Sequence, residues 1–135
     1  MIPATRFALS ASIAWFAIAN TFGLLMGTGL VSYLWRPAHG HMNLLGFVAM
    51  MIYGVAYHAL PRFRGVPFTR PRLAFAQVAL ANVGLLGMAL TWGLNGPPAS
   101  FAVWGGMSWL ASMLFVALIA EVLWRRPPYF QSSLK

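Results

Sequence analysis

The chain has 135 residues, of which 60% are hydrophobic and only 7% are charged, and its mean hydropathy is +0.72. A soluble domain carries about a quarter charged residues, so this composition predicts an integral membrane protein. The lack of cysteine excludes disulfides, thiolate metal sites and cysteine nucleophiles, and a single acidic residue, Glu121, excludes the paired carboxylates of hydrolases.

Four apolar stretches follow one another along the chain, and each reaches the roughly 20 residues that cross a hydrocarbon core about 30 Å thick. They cover residues 7–31, 39–60, 73–94 and 101–124. Breakers separate them at Arg36-Pro37, between Pro61 and Pro71, and at Asn95-Gly96-Pro97-Pro98. The first stretch exceeds the 7–15 apolar residues typical of a signal peptide, so we expect it to be retained. The predicted fold class is all-α, a single-domain integral membrane four-helix bundle over residues 1–135.

The basic residues are distributed very unequally between the two sides of this predicted topology. One side carries Arg6, Arg62, Arg64, Arg70, Arg72, Arg125, Arg126 and Lys135, and the other carries only Arg36. The positive-inside rule therefore predicts that both termini and the 62–72 connector are cytoplasmic. Because these charges lie in short connectors and not along one face, they indicate topology, and no nucleic-acid partner is predicted.

The second stretch opens with Ala38-His39-Gly40-His41-Met42-Asn43, at its outer end in this topology. Ionisable residues within membrane spans are rare and are functional-site candidates. On a wheel of 100° per residue, His39 and His41 lie about 200° apart. Below His39 runs a stripe of polar and small residues, namely Asn43, Gly46, Met50, Tyr53 and Tyr57. Below His41 runs an apolar face formed by Leu45, Val48 and Ile52.

Neutral imidazole is a common ligand of haem iron and of copper. A histidine above an amide and a glycine gap, where a flat ring could lie, predicts the wall of a cofactor site that includes His39 and Asn43. An interfacial histidine can also simply reach the headgroups, so a packing role is the alternative. His58 lies about 25 Å from His41 along the helix, cannot share a metal with it, and is predicted to be interfacial.

The run His39-Gly40-His41-Met42-Asn43-Leu44-Leu45-Gly46, in a span that ends in Leu60-Pro61, resembles the second helix of subunit I of the haem-copper oxidases. It is also similar to short four-span proteins grouped with that superfamily. In the oxidases a histidine-glycine pair opens this helix at the outer face, and the histidine is an axial ligand of the low-spin haem. The resemblance implies that His39 binds haem, most simply of b type, and that His41 binds a second metal, with copper as the alternative cofactor.

The resemblance is concentrated in the second span, and the other haem and copper ligands of the twelve-span oxidase subunit have no counterpart here. The chain is therefore not expected to be a complete oxidase on its own. Since the oxidase subunit is built from three arcs of four helices, three copies would restore twelve spans, and we expect a homotrimer, with a dimer as the alternative. Small residues at packing spacing, Gly23/Gly27, Gly84/Gly87 and Ser108/Ser112, are expected at helix contacts.

Three functions follow from these observations. The first is a small haem- or copper-binding protein of a bacterial-type cytoplasmic (inner) membrane, with an electron-transfer or gas-binding role in a respiratory chain. The second is an accessory or assembly subunit of a respiratory oxidase complex, without a cofactor of its own. The third, a small multidrug carrier, is disfavoured because such carriers need a carboxylate in the first span, where this chain has only Asn20.

Overall fold

The computed structural model describes residues 1–127, and the regular elements in this range are all helices. They are α1 (Pro3–Gly27), α2 (Tyr33–Phe63), α3 (Pro71–Gly93) and α4 (Pro98–Trp124). All four are long and apolar enough to cross a membrane. The predicted all-α fold with four membrane-spanning helices is therefore confirmed. Lys135, which the sequence analysis predicted to be cytoplasmic, lies outside the described residues.

Proline sets the start of three of these helices. Pro3, Pro71 and Pro98 each occupy the first turn of their helix. A proline there is favourable because its φ is already helical and its missing N–H would have had no partner within the helix. The turn between α3 and α4 contains Asn95 with a φ of 51°, a left-handed conformation that asparagine tolerates better than most residues.

The helices form a bundle in which α1 packs along α2, α3 packs along α4, and α1 and α2 also contact α3. Glycine makes the contact between α3 and α4 close. A Cβ added at Gly84 would lie 2.9 Å from both the Ser108 nitrogen and the Trp104 carbonyl oxygen, and one at Gly87 would enter the Trp104 indole. The predicted contact role of these two glycines is confirmed. At Gly27 an added Cβ would meet nothing within 4 Å, so this glycine makes no close helix contact within one chain.

Several polar side chains inside the bundle are paired across helices. The Trp15 indole N–H donates to Asn82 Oδ1 over 2.8 Å, and the Tyr57 hydroxyl donates to Oε1 of the fully buried Gln77 over 3.0 Å. Interhelical bonds of this kind stabilise membrane bundles by about 0.6–2 kcal/mol each. Tyr53 also faces inward, with its hydroxyl 3.3 Å from Ser112 Oγ. The two tyrosines of the predicted stripe thus serve the bundle interior.

One end of the bundle, here called the arginine end, brings together the start of α1, the connector between α2 and α3, and the end of α4. Glu121 of α4 accepts a hydrogen bond of 3.0 Å from the Thr69 hydroxyl and forms an ion pair of 2.9 Å with Arg70. It also pairs with Arg125 one turn further on. The only acidic residue of the chain therefore fixes the connector to α4. The opposite end, with His39 and Arg36, is called the His39 end.

The two ends are expected to lie on opposite sides of the membrane, with the arginine end in the cytoplasm, because basic residues are retained on that side. Reporter fusions inserted in the 62–72 connector and in the 95–99 turn should report opposite compartments, the connector being cytoplasmic. Both fusions reporting one compartment would contradict the four-span topology, and a reversed pair would contradict only the orientation.

Candidate functional site

Helix α2 changes its hydrogen-bonding pattern beside the candidate residues. It begins with a 3₁₀ turn (Tyr33–Trp35), continues as α-helix (Arg36–His41), widens to π-helix (Met42–Ala49) and returns to α-helix (Met50–Phe63). A π-helical segment is rare and is found frequently at functional sites. His39 and His41 immediately precede it and Asn43 lies within it. The candidate site therefore coincides with the main backbone irregularity of the span.

Side chains of α1 support the π-helical segment. The Ser12 hydroxyl donates to the Phe47 carbonyl over 3.1 Å, and Trp15 packs so closely on Gly46 that an added Cβ would lie 2.6 Å from the indole Cγ. Within a bilayer, carbonyls displaced from regular helical bonding need such side-chain partners. The gap at Gly46, which the sequence analysis assigned to a flat cofactor ring, is therefore filled by Trp15.

The His39 ring lies between α2 and α1 and is partly buried. Its Nδ1 is 2.9 Å from the Ala19 carbonyl oxygen. Because a carbonyl only accepts hydrogen bonds, Nδ1 carries a proton, and in the neutral imidazole this leaves Nε2 unprotonated. The ring rests on Gly23, where an added Cβ would lie 2.8 Å from Cε1. Metal-binding histidines are commonly oriented in this way, by a hydrogen bond from the second nitrogen to a carbonyl.

The His41 ring contacts α3 instead. Its Nδ1 is 2.9 Å from the Pro37 carbonyl oxygen, so its Nε2 is likewise unprotonated. Its centroid lies 4.5 Å from that of Trp92, which in turn packs on Phe101 at 4.7 Å. Within one chain, His39 and His41 thus face different neighbouring helices. Among residues 1–127, no group of three histidine, aspartate or glutamate side chains is placed to hold one metal ion.

The two remaining polar residues of the predicted site helix, Asn43 and His58, have local hydrogen-bond partners. The Asn43 amide nitrogen donates to the His39 carbonyl over 3.1 Å, and so ties the start of the π-helical segment to the turn before it. At the arginine end, Arg62 Nη1 donates to His58 Nδ1 over 2.6 Å and to the His58 carbonyl over 2.9 Å. His58 is thus far from the candidate site, at the end of α2 where it was predicted.

These positions suit haem better than copper within a single chain. The porphyrin supplies the in-plane ligands of haem iron, so the protein has to provide only axial ligands, and an oriented imidazole such as that of His39 is of the type that serves as one. A copper site is built from several protein ligands. Since His39 and His41 of one chain pack against different helices, a copper ion would need ligands from more than one copy of the chain.

The fold and the site together define a helical multi-pass membrane protein with an oriented histidine near one end of its second span. Comparisons of the chain with protein-family models, with curated proteins and with solved structures found no match. What the site can do therefore has to follow from its own residues.

Proposed function

We propose that the protein is a small haem-binding membrane protein, related to haem-copper oxidase subunit I, in which His39 supplies an axial ligand to the iron. The observation that carries this proposal is the hydrogen bond between His39 Nδ1 and the Ala19 carbonyl. In the neutral imidazole this bond leaves the lone pair of Nε2 free to bind the iron. Bound haem would supply one-electron transfer or the binding of a diatomic gas.

The neighbouring residues have supporting roles in this proposal. The Ala19 carbonyl fixes the imidazole tautomer, and Gly23 leaves room for the ring against α1. Asn43 holds the His39 carbonyl and so keeps the backbone of the ligand turn in place. His41, packed on Trp92, is available to a second metal or to a haem held by a neighbouring chain.

The proposal includes a homo-oligomer, a trimer first and a dimer as the alternative, in a bacterial-type cytoplasmic membrane with the His39 end outward. One chain offers His39 and His41 on different sides, so ligands from two copies are needed to hold one cofactor from both faces. The outward side of α1 near His39 carries two exposed apolar side chains, Leu24 (68%) and Phe16 (46%), with the exposed Asn20 between them, whose amide donates to the Phe16 carbonyl. Such a surface is suited to cover a haem edge between copies, or to face lipid.

The test is to purify the full chain in mild detergent and to record a reduced-minus-oxidised absorption spectrum, an iron and copper analysis, and a native mass spectrum. We expect a haem spectrum, iron without stoichiometric copper, and a threefold complex that carries haem. A haem-bound monomer would contradict shared ligands. Protein without haem or iron, from cells that make haem, would contradict the proposal and favour an accessory subunit of a respiratory oxidase complex.

A further inference from the structure

A cavity of about 340 Å³ opens at the arginine end, between the first residues of the chain and the connector that follows α2. Its apolar wall includes Ile2, Val66, Pro67 and Phe68, and its polar side chains include His58 and Arg62. The volume lies within the range of about 300–1,000 Å³ of typical small-molecule sites. The cavity is at the opposite end of α2 from His39, so it is separate from the proposed haem site.

The side chains of His58 and Arg62 present hydrogen-bond donors to this cavity. Arg62 Nη1 donates to His58 Nδ1 over 2.6 Å, and because a guanidinium only donates, the proton of this imidazole must be on Nε2. The second bond, from Arg62 Nη1 to the His58 carbonyl, holds the guanidinium at the cavity. The remaining guanidinium N–H groups and His58 Nε2–H are available for an acceptor.

Among residues 1–127, no side-chain carboxylate competes for these donors. Glu121, the only acidic residue of the sequence, is paired with Arg70 and Arg125 and does not line the cavity. The matching ligand is therefore an anion with several acceptor oxygens, and arginine recognises phosphate particularly well. The apolar wall beside the donors indicates a ligand that also carries hydrocarbon.

We infer that this cavity binds the phosphate of an anionic phospholipid, with the glycerol and first methylenes against the apolar wall. The position agrees, because the end of a membrane-spanning helix lies at headgroup depth, and basic pockets between helices on the cytoplasmic side bind anionic headgroups. Inorganic phosphate would use the same donors but would leave the apolar wall uncovered, so the lipid is the better match.

The experiment reconstitutes the full chain into vesicles of equal parts phosphatidylglycerol and phosphatidylcholine, extracts it gently, and measures retained lipid by native mass spectrometry. We expect one phosphatidylglycerol to be retained preferentially. R62Q should lower that retention about tenfold, because charge-assisted hydrogen bonds are lost. H58F keeps the arginine and its bond to the carbonyl of residue 58 but removes the imidazole, which is one acceptor for Arg62 and one donor to the cavity, and should give a smaller loss. R6Q is the matched control, since it removes one charge at the same end but outside the cavity.

Several outcomes would overturn this inference. Equal losses in R62Q and R6Q would show a diffuse attraction to anionic lipid and not a site. Equal retention of phosphatidylcholine would show that only the apolar wall acts. Displacement of phosphatidylglycerol by millimolar inorganic phosphate would assign the cavity to free phosphate. Circular dichroism and thermal unfolding of each variant identify folding defects, and if R62Q does not fold, H58F against R6Q still decides the question.

Discussion

Replacing His39 with glycine is expected to abolish the haem absorption of the purified protein, and added imidazole is expected to restore it. The substitution removes the iron ligand and leaves a space above Gly23 into which free imidazole can enter. H41A should change the spectrum differently, because His41 lies against Trp92 and reaches only a second metal or another copy. H58A should leave the spectrum unchanged, since His58 is about 25 Å away from the outer pair along the same helix.

A second pair of variants tests whether α1 positions the imidazole. In G23A the new Cβ would lie 2.8 Å from His39 Cε1, so the ring has to move and the haem spectrum should shift without being lost. G27A, one turn further along the same helix, meets nothing within 4 Å and should behave as the unchanged protein.

If H39G, H41A and the double variant all retain an unaltered spectrum, the outer histidines are packing residues and the accessory-subunit function should replace the haem proposal.

The four spans could be predicted from the sequence because membrane helices are defined by the length of apolar stretches. The first predicted span, 7–31, corresponds to α1 (Pro3–Gly27), and the third, 73–94, corresponds to α3 (Pro71–Gly93). The difference of a few residues at the start arises because a proline begins each helix before the apolar stretch does. Hydropathy thus carries nearly all the information about element order. The predicted breaker at Arg36-Pro37 is wrong, because α1 ends at Gly27 and α2 already begins at Tyr33, so that Arg36 and Pro37 lie in the first turns of α2, where proline is tolerated.

The π-helical segment could not be predicted in this way. A wheel of 100° per residue assumes a regular α-helix. This assumption fails over Met42–Ala49, which contains Asn43 and Gly46 of the stripe predicted below His39. The gap beside Gly46 is filled by Trp15, which belongs to another helix, so local periodicity holds no information about it. The same is true of the Ala19 carbonyl that orients His39.

Two interior polar residues, Asn82 and Gln77, can be recognised in the sequence by their position alone. Asn82 and Gln77 are amides in the middle of the third apolar stretch, where polar side chains are costly without a partner. Their presence indicates interhelical hydrogen bonds, and the structure supplies the partners Trp15 and Tyr57. The identity of such a partner depends on helix packing, which the sequence pattern alone does not determine.

Replacing Gly84 with alanine is expected to cause the largest loss of stability of any single-methyl change in the bundle. The added Cβ would lie 2.9 Å from two backbone atoms of α4, the Ser108 nitrogen and the Trp104 carbonyl oxygen. Backbone atoms cannot turn away as a flexible side chain can, so α3 and α4 have to separate. Overpacking of this kind costs about 1–3 kcal/mol in the free energy of unfolding.

The measurement is the midpoint of thermal or denaturing-detergent unfolding, with G106A as the matched control. Gly106 lies on α4, where an added Cβ meets nothing within 4 Å, so the same chemical change should be neutral or slightly stabilising through helix propensity. A lower midpoint in G84A alone is expected. Equal midpoints in the two variants would contradict the close contact between α3 and α4, because the methyl group at Gly84 would then meet no more resistance than the one at Gly106.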